Sequence, residues 1–397
     1  MIHLKQAKWI VSIALILGLL VIIGISFAPC WRPDGTRNLY VYLADAFLHG
    51  RLWVPFQNQW DIARYEGRMY VVFPPFPAVL LMPYVAVLGI HAAGTQIPAL
   101  LISVLNVYLF VRLFRRLCGK IDTIWLTLAF FAGTGYWCCM TWSDGVWYFA
   151  HIIATMSLLL LLNELFGKAR GYLAGIFFCM AFLSRQLTIY YLVFALFMIW
   201  RAHKDNPRPY IHLIQFLAIS GLCVGVYMVY NHVRFGNPFD TGYRYILMHE
   251  FGTLRFKKYG LFNAYYIPYN FYSYFIKGFN IVFKEGLRMK PLHMDFHGTS
   301  LFAASPFVLA AFRSKLEQPM RTVIWITAGL IAAHSLFYFN NGFRQINCVR
   351  FSLDYLPLVM VLVAGSVKSI PAVVWRGAIV VAIILNIIAL FVVPVIF

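Results

Sequence analysis

The stretch WIVSIALILGLLVIIGISF, Trp9 to Phe27, is apolar apart from two serines and matches the roughly 20 residues a helix needs to cross hydrocarbon. No small-residue cleavage site follows it and further apolar runs do, so it reads as a transmembrane helix rather than a signal peptide. Directly behind it come roughly seventy residues that do not read as a span but carry acids, arginines, aromatics and the cluster Phe73-Pro74-Pro75-Phe76-Pro77. An anchor followed by a long, chemically equipped loop predicts an enzyme working at a membrane surface.

Composition extends the first half of that reading to the whole chain. Hydrophobic residues make up 61% and charged residues 12%, which predicts an all-α polytopic membrane protein. Further spans read over 97 to 115, 121 to 139, 147 to 165, 171 to 185, 186 to 201, 210 to 230, 299 to 312, 322 to 339, 354 to 367 and 375 to 396. That is about 11 transmembrane helices, with ten or twelve as alternatives because the boundaries between 171 and 201 are short. The whole chain, 1 to 397, reads as one integral membrane catalytic domain.

Short basic loops set the orientation, since such loops stay cytoplasmic. Lys5 and Lys8, Arg112 to Lys120, Lys168 and Arg170, Arg201 to Arg208, Arg313 to Arg321, and Lys368 and Arg376 form one series. The two long loops, 29 to 96 and 232 to 298, then fall on the outer, periplasmic or extracellular, face of the cell membrane. A net charge of +19 would suit nucleic acid in a soluble protein, but here it is divided between two faces, and anionic membrane lipid is the expected partner. Of seven cysteines none forms a C-x-x-C pair; Cys30 and Cys348 both read as outer-face residues within reach of a disulfide.

The outer loops hold the candidate chemistry. Leu39 to Leu48 has helical apolar spacing and ends at Gly50, which predicts an amphipathic helix lying on the membrane. Asp34, in Pro-Asp-Gly just ahead of it, reads either as a catalytic carboxylate at the water-lipid boundary or as a helix cap or turn residue. In Trp60-Asp61-Ile62-Ala63-Arg64-Tyr65-Glu66-Gly67-Arg68-Met69-Tyr70, Asp61 lies among arginines and aromatics. Aromatic faces stack on sugars, Arg64 offers a fork for phosphate, Tyr70 adds a stacking face and a carboxylate accepts hydroxyl protons. An interfacial aromatic belt with surface ion pairs accounts for the same residues.

Ionisable groups within or beside spans are further candidates, because hydrocarbon tolerates them only with a partner. Asp144 reads as a site acid or as a turn residue, and His151 as a site residue or as a packing histidine. Arg185 interrupts an apolar stretch and reads as a phosphate ligand or as the partner of a loop carboxylate. Arg234 opens the second outer loop in a region dense in tyrosine and lysine. Arg350 and Asp354 read as an i,i+4 ion pair, with lining of the site by Arg350 as the alternative. His293, Asp295 and His297 alternate, so on a strand they would share one face as a metal site; no other ligand cluster appears.

Several stretches together resemble the bacterial polytopic glycosyltransferases of the C-type fold, related to the protein mannosyltransferases and the lipid A aminoarabinose transferase. They are Tyr42-Leu43-Ala44 through Leu52, Asp61 through Tyr70, Phe73 through Ala78, Trp147 through His151, Ala181 through Arg185, Tyr230-Asn231 with Arg234-Phe235-Gly236, and Arg350 through Asp354. The resemblance implies transfer of a sugar from a polyprenyl-phosphate carrier to a lipid, glycan or protein acceptor in the cell envelope. An acid of the first outer loop would be the base. Asp34 occupies that region, displaced by a residue or two from the family pattern, and Asp61 is its rival. Arg64, Arg185 and Arg350 would meet the phosphate, with Tyr70, Asp144, His151 and Arg234 lining the substrate site. One base and direct displacement imply inversion at the anomeric carbon. Some relatives use a divalent metal to hold the donor phosphate. The rival class is a lipid or sugar transporter or flippase, whose inverted repeats the sequence does not show.

Overall fold

The computed structural model describes residues 38–55, 61–92, 94–246, 250–284, 291–295, 297–339 and 347–392. The expected first span, Asp34 and Cys30 lie outside these residues. The described chain is helical throughout, with two short hairpins. In order it forms α1 (Leu39–Leu48), the hairpin β1 (Ile62–Tyr65) and β2 (Arg68–Val71), α2 (Phe76–Ala92), α3 (Gln96–Leu117), α4 (Lys120–Ala132), α5 (Gly135–Thr141), α6 (Val146–Leu165) and α7 (Gly171–Phe182). It continues through α8 (Tyr191–His203), α9 (Tyr210–Phe235), α10 (Glu250–Tyr259), α11 (Ile267–Phe271), the hairpin β3 (Ile281–Phe283) and β4 (Pro291–Met294), α12 (Leu301–Ala304), α13 (Met320–Leu336), α14 (Leu356–Ala364) and α15 (Ala372–Ile387).

Four helices among the described residues are long and apolar enough to cross a bilayer: α3, α6, α9 and α15 with its continuation to Val392. The expected span 121 to 139 is a broken pair instead. α4 and α5 meet at a 56° bend, where Gly133 and Thr134 interrupt the helix and the Thr134 side chain caps α5. The remaining expected spans are shorter helices and 3-10 turns, so the count of about eleven stays an expectation. The first loop also holds more than was expected, since α2 is an apolar helix, broken near its end by a kink at Gly89. Pro74, Pro75, Pro77 and Pro83 hide it from a pattern search, although proline is tolerated in the first turn and Pro83 sits inside.

α6 is the hub. Its most apolar window is 89% buried, whereas that of α9 is 17% buried, and α9 turns Leu222, Val226 and Val233 outward. Such a face suits lipid. Side-chain amides tie the hub to its neighbours, as hydrocarbon demands of polar groups. Asn106 of α3 donates to the Ile152 carbonyl at 3.1 Å and to the Tyr136 hydroxyl at 2.8 Å, and Asn163 of α6 donates to the Leu109 carbonyl at 2.9 Å. Small residues let α7 and α9 approach closely. A Cβ on Gly171 would lie 1.8 Å from the His212 carbonyl oxygen, and one on Gly175 would lie 2.9 Å from the Ile219 Cβ.

The two ends of α6 differ chemically. In its last turn, Arg116 donates to the Asn163 carbonyl and Arg170 pairs with Glu164 at 2.8 Å. Near its N-terminal end lie Asp144 and His151. The candidate residues around α6 therefore collect away from the basic short connections.

Candidate functional site

Three interruptions of helix bring the charged groups together. α7 stops at Phe182, the Arg185 backbone is extended, and a 3-10 turn over Gln186–Tyr190 follows. That break explains an arginine within an apolar run. A second 3-10 turn, Arg350–Asp354, precedes α14, whose Pro357 sits at the helix start. The third is the turn at Asp144-Gly145 from which α6 carries His151 inward.

Asp354 is fully buried, and both its oxygens accept from one edge of Arg185, at 3.0 and 3.3 Å from Nε and 2.8 Å from Nη2. His151, also fully buried, places Nδ1 3.4 Å from the same carboxylate. Arg350 lies over the Tyr148 ring at 5.2 Å and the Phe351 ring at 5.0 Å. The i,i+4 reading of Arg350 with Asp354 gives way, because a 3-10 turn has three residues per turn and Asp354 points to Arg185 instead. Of the two readings of Arg185, the carboxylate partner is present in the structure. Removing one member of such a buried pair costs about 3–5 kcal/mol, since the other charge is left uncompensated.

Arg185 also faces open space. It lines a cavity of about 430 Å³ together with Gln186, Tyr243, His334 and Tyr338 on the polar side and Ile189, Phe239, Phe262 and Phe351 on the apolar side. Phe239 is 79% and Phe262 47% exposed, so the apolar wall continues to the surface. Burial pushes the Tyr243 phenol well above its ordinary value, which keeps it a neutral hydroxyl donor beside Arg185. His334 shares a 2.9 Å hydrogen bond with the Tyr190 hydroxyl. Tyr338 lies in the electrostatic reach of Asp61, Arg185 and Arg350 together. Arg185 and Tyr338 line the cavity, whereas Asp61 and Arg350 are not among its lining residues.

The hairpin β1–β2 positions Asp61. Glu66 and Gly67 both have positive φ, 47° and 73°, the conformation of a tight two-residue hairpin turn. Asp61 itself has φ 66°, a left-handed conformation that costs a non-glycine residue about 1–3 kcal/mol and gathers at functional sites. Ala63 bridges to Ile246, and Tyr65 packs on Tyr245 at 4.8 Å and Phe235 at 5.7 Å. The two long loops thus meet beside the cavity.

The other expected site residues have different settings. Arg64 is exposed on β1. Tyr70 is buried, its ring 5.3 Å from Phe235. Asp144 accepts from Thr95 Oγ1 at 3.3 Å, which ties it to the start of α3, and Gly145 rather than Asp144 precedes α6. Arg234 is 2% exposed and donates to the carbonyls of Val71 and Tyr230 and to Asn231 Oδ1, with its guanidinium 3.7 Å from the Tyr230 ring. It clamps β2 to α9. The helix Leu39–Leu48 begins where the spacing placed it, but its cap is Asn38, which accepts from the Tyr40 amide; Asp34 lies outside the described residues.

The alternating His293, Asp295 and His297 do not share a strand face. β4 ends at Met294, and Asp295 accepts from Lys277 at 2.7 Å and from the His297 backbone at 2.9 Å. Among the described residues no three His, Cys, Asp or Glu side chains group as metal ligands. Tyr243 falls in the tyrosine-dense second loop that the sequence marks as a binding surface, whereas His334 and Tyr338 lie in the expected span 322 to 339 and gave no signal.

No protein-family model and no curated relative matches the sequence. Among solved structures, the chain is similar to the apo crystal structure of ArnT from Cupriavidus metallidurans, with 13% identity over 94% of this chain and a TM-score of 0.50. The chain has the C-type glycosyltransferase fold. It covers 62% of the ArnT chain. A multi-pass membrane protein follows from that fold and from the apolar helices.

Proposed function

We propose that this protein is a membrane glycosyltransferase that moves a sugar from a polyprenyl-phosphate carrier to a lipid, glycan or protein acceptor on the outer face of the cell membrane. The observation that carries the reading is Arg185, which pairs through Nε and Nη2 with a buried carboxylate and also lines a cavity with aromatic residues in its wall. A cation at one end and an apolar wall reaching the surface suit a ligand with a phosphate head and a hydrocarbon tail. The fold shared with ArnT supports the reaction class.

In this reaction the acceptor oxygen attacks the anomeric carbon, and its proton passes to a carboxylate. The bond from that carbon to the phosphate oxygen breaks, the electron pair stays on the phosphate, and Arg185 and Arg350 stabilise the charge. Asp61, held in a left-handed conformation ahead of β1, is our candidate base among the described residues; Asp34 is its rival. One base and direct displacement invert the anomeric centre.

Incubation of the purified protein with a labelled polyprenyl-phosphate sugar tests the reading. Acceptor-dependent release of free polyprenyl phosphate, with an inverted product, is expected. Movement of the intact lipid across a vesicle membrane without release would overturn it in favour of a transporter. Separate D34N and D61N variants then assign the base, as the one that loses turnover by about 10²–10⁴-fold while still binding the carrier.

A further inference from the structure

We propose that Asp354 is the resident counter-ion of the Arg185 site, holding the guanidinium when no phosphate is bound and weakening its grip on the phosphate product so that the product leaves. The inference rests on reading Arg185 as the donor-phosphate ligand. Asp354 engages Nε and Nη2, one edge of the guanidinium. Arg185 lines the cavity with its side chain 20% exposed, whereas Asp354 is 0% exposed. Asp354 is not among the lining residues, so a ligand in the cavity meets Arg185 and not the carboxylate. His151, with Nδ1 3.4 Å from Oδ1 of Asp354, encloses the same carboxylate.

The reaction changes the charge that Arg185 must hold. The donor is a phosphodiester with one negative charge. When the acceptor oxygen takes the anomeric carbon, the carbon-oxygen bond to phosphate breaks, the electron pair remains on the phosphate and the acceptor proton goes to the base. The product is a phosphate monoester, and such monoesters have a second pKa of about 6 and carry between one and two charges at neutral pH. An arginine without a counter-ion in a low-dielectric setting would hold this product more tightly than the donor. The Asp354 carboxylate repels the added charge and takes the guanidinium back.

Equilibrium binding to the full chain in phosphatidylcholine nanodiscs tests this, with polyprenyl phosphate and its methyl phosphodiester as probes. The wild type is expected to bind the two lipids within about threefold of each other. D354N is expected to bind polyprenyl phosphate about tenfold more tightly than the wild type does, with a smaller gain for the diester. Steady-state turnover should then fall more than the first turnover, while D354E keeps the wild-type ratio. A gain in affinity is a result that damaged packing does not produce. Unchanged or weaker monoester binding by D354N would overturn the proposal, and so would a wild-type preference for the monoester of about tenfold or more. The wild-type ratio decides alone if D354N does not fold. A wild type that binds neither lipid defeats the reading of Arg185 itself, which separates the two failures.

Discussion

Arg185 and Arg234 occupy similar positions in the chain, each at the end of an apolar helix and each against aromatic rings, yet their surroundings assign them different work. Arg234 is 2% exposed and directs its hydrogen bonds to two backbone carbonyls and a neighbouring amide. Arg185 uses one edge on a carboxylate and also lines a cavity. Backbone carbonyls cannot leave their arginine without unfolding the loop they belong to. A carboxylate partner leaves the guanidinium free to share its charge with a second anion. An arginine among apolar residues thus signals an obligatory partner, and the nature of the partner separates a clamp from a binding group.

The largest effect should come from the double variant R185Q/D354N, which removes the pair together and leaves neither charge buried alone. Turnover is expected to fall by roughly 10²–10³-fold, with the melting temperature in detergent changed little. A double variant with wild-type turnover would break the distinction, because Arg185 would then be a clamp as well.

R234A should show the reverse pattern. Losing three hydrogen bonds from a buried guanidinium, with its stacking on Tyr230, is expected to cost about 3 kcal/mol or more of stability, read as a lowered melting temperature and a poorer folded yield. Activity per folded molecule should stay within severalfold of wild type. R234K should not rescue the loss, since an ammonium cannot reproduce the planar fork. A well-folded R234A that loses activity would move Arg234 to the substrate side.

Much of this contrast was beyond the reach of the sequence, for reasons these residues make plain. Leu39–Leu48 was legible because one periodic run and one terminal glycine define it, and α3 and α6 because a continuous apolar run needs no knowledge of its neighbours. Arg185 could be singled out by its cost in hydrocarbon. Its partner could not, because Asp354 lies 169 residues away and four residues from the nearer arginine that invited the pairing. The break between α4 and α5 escaped notice because Gly133 and Thr134 barely lower the hydropathy of the run around them. The residues of the cavity wall come from segments that only the fold brings together.

The smallest expected effect concerns a second ion pair, which tests whether burial is what gives the two arginines their weight. Lys277 and Asp295 meet at 2.7 Å with side chains 12% and 22% exposed. Burial pushes the Asp295 carboxyl up, but its hydrogen bonds from Lys277 and the His297 backbone outweigh that and hold it below the usual carboxylate range. A carboxyl with a lowered folded-state pKa contributes stability that is present above its unfolded value of about 3.9 and is lost as pH falls through the folded value. Acidification from pH 7 should therefore cost the wild type a little stability at the low end of that range, and D295N should lack that share of the acid sensitivity. At pH 7 the D295N substitution is expected to cost about 1 kcal/mol, because both side chains keep some contact with water, unlike the fully buried Asp354. A loss as large as that of R234A would mean that this pair organises the second loop, and that exposure is a poor guide to which charges hold this fold together.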